Sequence, residues 1–111
     1  MGMARLYSLK PQSVEDTERR EDVRIDIAIW GRIRLRNGDA HPARFCNLSQ
    51  GGFMAMTPVG IRRYSEIDVE IPAIGWRSAM AAWTEDDRVG GEFEPPLEPG
   101  ILDRLMSFRK D

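Results

Sequence analysis

The chain has 111 residues, of which 41% are hydrophobic and 31% charged, a composition typical of one folded domain and not of a disordered chain. No apolar run approaches the roughly 20 residues that a membrane-spanning helix needs, and the first residues lack the apolar stretch of a secretion signal. A single cysteine, Cys46, and a single histidine, His41, exclude an internal disulfide and the common metal sites. We therefore expect a soluble protein of a reducing compartment that holds no metal ion.

The charges are unevenly distributed, although they sum to only −2. Six of the 14 arginines lie within residues 19–36, whereas residues 66–98 hold nine acidic residues and only two arginines. This pattern predicts one electropositive and one electronegative part of the molecule. The negative total argues against a general nucleic-acid-binding protein.

The N-terminal part of the chain contains a polar segment followed by a long strand. Residues 1–18 show no apolar period, and we predict that they form a flexible arm. Residues 23–35 place an apolar side chain at nearly every odd position, which is the period of a half-buried β-strand. The length of this strand predicts a bend or bulge near Gly31. Asn37 and Gly38 follow, and both accept the positive φ of a tight hairpin turn.

The remainder of the chain predicts further strands and a terminal helix. Short apolar or alternating segments separated by turn residues occur at 42–48, 53–57, 66–71, 76–83 and 89–94. Apolar residues at helical spacing follow the prolines and predict a helix over residues 99–109. We therefore predict an all-β fold, a six-stranded antiparallel β-barrel with a short C-terminal α-helix, over residues 19–109.

No set of residues in the sequence resembles a catalytic centre, and we predict a binding module and not an enzyme. The segment at 47–51 lacks the first glycine of a nucleophile elbow, and the chain contains no P-loop. His41 is expected in a solvated loop and Cys46 as a buried thiol. Met54 and Met56 are expected in the core.

Two motifs remain once these residues are set aside. The first is Arg20-Glu21-Asp22-Val23-Arg24, which places two arginines just before the first strand. The second is Asn47-Leu48-Ser49-Gln50-Gly51-Gly52, which has the form [DN]-x-S-x-x-G at a break between strands. Each motif also has a purely structural interpretation, since the arginines fit a solvated charge run and Ser49 with Gly52 fits a tight turn.

The sequence resembles the PilZ domain family, because it contains, in this order, the arginine pair, the long strand and the [DN]-x-S-x-x-G motif. Arg20 and Arg24 match the paired arginines of that family, and Arg19 matches the additional arginine often found before them. The second motif matches in full, and the resemblance covers about residues 18–108. It implies a stand-alone bacterial, cytoplasmic domain with a six-stranded barrel that binds the second messenger cyclic di-GMP.

The resemblance implies that seven residues bind this ligand: Arg19, Arg20, Arg24, Asn47, Ser49, Gly51 and Gly52. These residue types suit a ligand with two phosphates and two guanines. Guanidinium groups bind phosphate oxygens and the guanine edge, and the asparagine and serine side chains supply further hydrogen bonds. Gly52 is expected to adopt a positive φ and to permit a close approach of the backbone. We expect binding to order the arm and so to create a surface for a downstream effector protein, which the sequence does not identify.

Two other interpretations stay open. One is a PilZ-like adaptor that binds only protein. The other is a small barrel that binds single-stranded nucleic acid, which needs a basic groove with exposed aromatic side chains. The negative net charge and the presence of only Trp30 on the arginine-bearing face of the first strand disfavour nucleic acid as a partner.

Overall fold

The computed structural model describes residues 23–110 and contains a closed antiparallel barrel followed by one helix. The order of strands around the barrel is β1-β2-β3-β6-β5-β4. The elements are β1 (Ile25–Arg34), β2 (Ala40–Leu48), β3 (Gly52–Met56), β4 (Glu66–Ile71), β5 (Gly75–Glu85), β6 (Arg88–Phe93) and α1 (Ile101–Lys110). The predicted fold is confirmed. The predicted arm, residues 1–18, lies outside the described residues, as do Arg19 and Arg20.

One apolar core fills the barrel, because each strand directs alternate side chains inward. Within this core Phe53 contacts two other rings, with its ring centroid 5.5 Å from those of both Phe45 and Phe93. The helix begins at Ile101, after a turn at Pro99 and Gly100, and contributes Ile101 and Leu105 to the same core. The largest side chains with almost no exposed surface are Phe45, Ile33, Leu48, Ile71, Leu97, Leu105, Val69 and Val89. Within residues 23–110, no helix has the length and apolar character needed to cross a membrane.

A bulge in β1 is present, but not where the sequence predicts it. Gly31 pairs regularly with Ala43, and the irregular register lies earlier, between Asp26 and Ile29. A Cβ at Gly31 would lie 2.0 Å from the carbonyl oxygen of Glu70 in β4. The glycine is therefore explained by the close approach of β4 and not by a bend of β1.

The turn between β1 and β2 also differs from its prediction. Only Gly38 has a positive φ, of 96°, whereas Asn37 does not adopt one. Gly38 N donates a hydrogen bond to Leu35 O at 2.9 Å, and Leu35 N donates to Asp39 O at 2.8 Å. This is the hairpin type in which a turn is followed by a bulged glycine. The side-chain oxygen of Asn37 accepts a hydrogen bond from Asp39 N at 2.9 Å, which explains its place in the turn.

Four side chains lie in environments that differ from the predicted ones. His41 is half-buried within β2 and does not lie in a solvated loop. Cys46 is a free, half-buried thiol at an irregularity in the pairing of β2 with β3, and is not fully buried. Met54 and Met56 are half-buried outside the core, because their neighbours in β3 occupy the inward positions.

Candidate functional site

Arg24, the last residue of the first motif, lies at the same end of the barrel as the second motif. Since β1 and β2 are antiparallel, the start of β1 lies beside the end of β2, and Ile25 pairs with Leu48. Arg24 immediately precedes Ile25 and is exposed, and Ser49 immediately follows Leu48. The fold thus brings Arg24 next to the turn that the second motif forms.

The turn at residues 49–52 is held by hydrogen bonds between its own ends. Ser49 N donates to Gly52 O at 2.8 Å, and Gly52 N donates to the Ser49 hydroxyl at 3.1 Å. Ser49 is only 5% exposed. These bonds give the serine a structural role in the turn.

The same turn is tied to the C-terminal part of the chain. Gly51 O accepts a hydrogen bond from Phe93 N at 2.9 Å. Gln50 is joined to Leu97 twice, through Leu97 N to Gln50 O at 2.8 Å and through Gln50 Nε2 to Leu97 O at 3.0 Å. The role of Gln50 was not predictable from the sequence, because its partner is 47 residues away and no local pattern reveals such a contact.

Gly52 is required by packing against β6 and not by a special backbone angle. The described glycines with positive φ are Gly38, Gly75 and Gly100, so the predicted positive φ of Gly52 is wrong. A Cβ at this position would lie 2.4 Å from the carbonyl oxygen of Gly91. The close approach is therefore made to the neighbouring strand.

Asn47 lies half-buried near the end of β2, with Asp26 of β1 directly opposite in the register. Asp26 is exposed and is two residues from Arg24, a spacing that puts the two side chains on one face of an extended chain. This two-residue spacing is visible in the sequence, but Asp26 belongs to neither motif and was not predicted as a site residue. An amide beside a carboxylate offers hydrogen-bond acceptors for N–H groups such as those of a guanine edge.

The electrostatics of this end of the barrel depend on Arg24. Within residues 23–110, Arg24 forms no ion pair, so its guanidinium is open to an anionic ligand. The part of the chain that the structure describes holds no group of three or more His, Cys, Asp or Glu side chains able to bind a metal ion.

The other arginines near β1 face the acidic residues of β4, so the predicted electropositive part is neutralised here. The hydrogen bond from Arg32 to Glu70 and the charge of that carboxylate raise the pKa of Arg32. The Arg32 and Arg34 guanidinium carbons lie 5.2 and 4.2 Å from the ring centroid of Trp76. The three ion pairs are Arg32 with Glu70 at 2.7 Å, Arg34 with Asp68 at 3.6 Å and Arg36 with Glu66 at 2.6 Å.

In comparisons with known proteins, no family model and no curated protein sequence matches this chain.

Proposed function

We propose that this protein is a binding module for cyclic di-GMP and that the nucleotide binds at the barrel end where Arg24 adjoins the Asn47–Gly52 segment. The observation that supports the proposal is this adjacency, because the two motifs are separated in the chain by the whole of the β1–β2 hairpin. Arg24, which forms no ion pair within residues 23–110, lies near an amide and a carboxylate, and these groups complement a phosphate and a guanine edge.

Each residue has a distinct role in this proposal. Arg24, together with Arg19 and Arg20, binds phosphate oxygens or the guanine edge through charge-assisted hydrogen bonds. Asn47 and its neighbour Asp26 accept hydrogen bonds from a guanine.

The motif turn serves the site mainly through its shape. Ser49 and Gly52 hydrogen-bond to each other, and Gly51 O bonds to β6. The ligand therefore meets a turn that is already formed, and the ordering cost on binding falls on the segment around the arginines.

The signalling step in this proposal is the ordering of residues 15–24 on the barrel when the arginines contact the ligand. The ordered segment creates a new surface, which a downstream effector protein recognises. The module works by binding alone in a bacterial cytoplasm, and it catalyses no reaction.

The proposal is tested by calorimetric titration of the full chain with cyclic di-GMP, with GTP as the control nucleotide. Three or four charge-assisted hydrogen bonds, less the cost of ordering the arm, correspond to micromolar affinity, about −8 kcal/mol. We expect saturable binding of cyclic di-GMP at this level and none of GTP. A folded protein that gives no heat with cyclic di-GMP contradicts the proposal.

The location of the site is tested by Arg24→Ala in the same titration. Loss of a charge-assisted hydrogen bond weakens binding by roughly tenfold to a hundredfold. Arg62→Ala is the matched control, because Arg62 is also exposed and forms no ion pair within residues 23–110. Equal affinity of the Arg24 and Arg62 variants would show that the site is elsewhere.

The signalling step is tested by amide hydrogen exchange with and without cyclic di-GMP. We expect slower exchange of residues 15–24 in the presence of the ligand. If the protein binds the nucleotide but the exchange of this segment is unchanged, the proposed ordering of the arm is wrong although the proposed binding is correct.

A protein-binding adaptor that does not bind nucleotide is the second candidate. The hydrogen bonds within the 49–52 turn favour it, because they account for Ser49 and Gly52 without any ligand. The calorimetric titration distinguishes the two candidate functions, since an adaptor folds normally and gives no heat of binding with cyclic di-GMP.

A further inference from the structure

A row of four side chains, three of them exposed and one half-buried, crosses the outside of the barrel, away from the motif turn. Trp30 of β1 pairs with Arg44 of β2, Arg44 pairs with Met56 of β3, and Met56 pairs with Arg88 of β6. Directly paired residues of neighbouring strands lie on the same face, so these four form one continuous strip, which we call the Trp30–Arg88 row. On β2 and β3 the row passes through Arg44 and Met56. This pair lies farther along the two strands from the motif turn than the pair formed by Asn47 and Met54.

The row combines an exposed tryptophan with two arginines that form no ion pair in the described part of the chain. Trp30 is 62% exposed, although it lies in the middle of a strand. Arg44 and Arg88 are exposed and form no ion pair within residues 23–110, in contrast to Arg32, Arg34, Arg36 and Arg77, each of which is paired with a carboxylate. The other arginines of the described strands thus pair with carboxylates of the chain itself. The guanidinium groups of Arg44 and Arg88 remain available to a partner.

We propose that the Trp30–Arg88 row is a docking surface for an acidic segment of a partner protein. Tryptophan, methionine and arginine are the side chains enriched at protein interfaces, and tryptophan and arginine contribute most to binding energy there. The two guanidinium groups project from strands two places apart, roughly 10 Å, and each binds a carboxylate through a planar fork. Met56 lies between them and provides an apolar contact.

A protein fits this surface better than a nucleic acid does. Glu85 lies at the end of the row, opposite Arg88 in the register, and Glu92 is exposed four residues further along β6. These carboxylates and the net charge of −2 repel a continuous phosphate backbone. A short acidic segment needs only two carboxylates placed at the two arginines. The proposal holds whether or not the chain binds a nucleotide.

The test is selection of short random peptides from a displayed library on the full chain. We expect enrichment of peptides that carry several Asp or Glu residues and at least one aromatic or aliphatic residue. A synthesised enriched peptide should bind about tenfold more weakly to Trp30→Ala and to Arg44→Glu, and binding should weaken with salt. Arg88→Glu, on another strand, provides a second charge reversal if Arg44→Glu does not fold.

Arg62→Glu is the matched control, since it reverses an exposed arginine that is not part of the row and forms no ion pair within residues 23–110. It should leave peptide binding unchanged, and the row variants should leave the titration with cyclic di-GMP unchanged. The proposal is overturned if no acidic peptide is enriched, or if enriched peptides bind the row variants as tightly as the wild type. It is also overturned if single-stranded oligonucleotides bind the row more tightly than the peptides do.

Discussion

At the scale of single residues, the glycines of the barrel show how a motif position serves the fold. A Cβ at Gly52 would meet the carbonyl oxygen of Gly91 at 2.4 Å, and a Cβ at Gly91 would meet the Phe53 ring at 2.5 Å. In both cases the obstacle is an atom of a neighbouring strand. Glycine at these positions therefore follows from close packing between β3 and β6, whatever the protein binds.

Gly52→Ala should destabilise the protein by about 1–3 kcal/mol, because the added methyl group forces β3 and β6 apart. Chemical denaturation measures this loss. Gly60→Ala is the control, since no atom lies within 4 Å of a Cβ there, and we expect it to be neutral or slightly stabilising. If both variants are equally stable, the close approach to Gly91 does not constrain this position. Arg24 and Asn47 are therefore better probes of ligand binding than Gly52.

At the scale of elements, the bulges decide which side chains face inward. In β2 the register with β3 shifts between Phe45 and Asn47, which adds one residue to β2. Phe45 and Leu48 are consequently both fully buried, although a regular strand would put residues three apart on opposite faces. A separate bulge, in β1 between Asp26 and Ile29, places Asp26 and not Ile27 opposite Asn47 at the candidate site.

The segment before the helix is joined to β5 by an ion pair that predicts a pH effect. Arg77 donates a hydrogen bond to the Glu98 carboxylate at 3.0 Å, and this bond lowers the pKa of Glu98 below its ordinary value of 4.5. A lowered pKa stabilises the fold above the ordinary value, and the contribution is lost as the pH falls through the lowered one. Glu98→Gln should therefore melt slightly below the wild type at neutral pH and match it in strong acid.

Melting temperatures of the two proteins across this pH range test the prediction. The effect is small, because the Glu98 side chain is 59% exposed and solvent screens the pair. Glu94→Gln removes an exposed carboxylate that forms no ion pair within residues 23–110, and it should not produce the same pH-dependent difference. A difference between Glu98→Gln and the wild type that does not change with pH would contradict the assigned cause.

At the scale of the whole molecule, the barrel and the helix share one core. Leu105 has no exposed surface and belongs to the same buried cluster as the strand residues. Leu105→Ala should lower the free energy of unfolding by about 2–5 kcal/mol, because it leaves a cavity where the helix meets the barrel. Ser107→Ala, at an exposed position of the same helix, should have little effect.

Unfolding should be a single transition in both helix variants, monitored by far-ultraviolet circular dichroism and by tryptophan fluorescence. The tryptophans all lie in the strands described above, whereas the dichroism also reports the helix. Separate transitions for the two signals would show that the helix is not part of the cooperative unit.

The sequence alone determined the fold, the number of strands and the motif residues. Period-two apolar patterns and turn residues are local signals, and six of them followed by a helical period leave few architectures other than a small barrel. It also indicated Arg24 and the Asn47–Gly52 segment as a candidate site, through the resemblance of their motifs to a known family.

Only the tertiary structure decided the features that depend on contacts between distant parts of the chain. The bulge at Asp26, the reason for Gly31 and Gly52, and the Gln50–Leu97 bonds each involve a neighbouring strand or segment that a local pattern does not reveal. The ion pairs of β1 with β4 likewise follow from a pairing between strands that are not consecutive in the chain. That pairing neutralises arginines which, in the sequence, resemble an electropositive segment, whereas Arg44 and Arg88, on other strands, form no ion pair within residues 23–110.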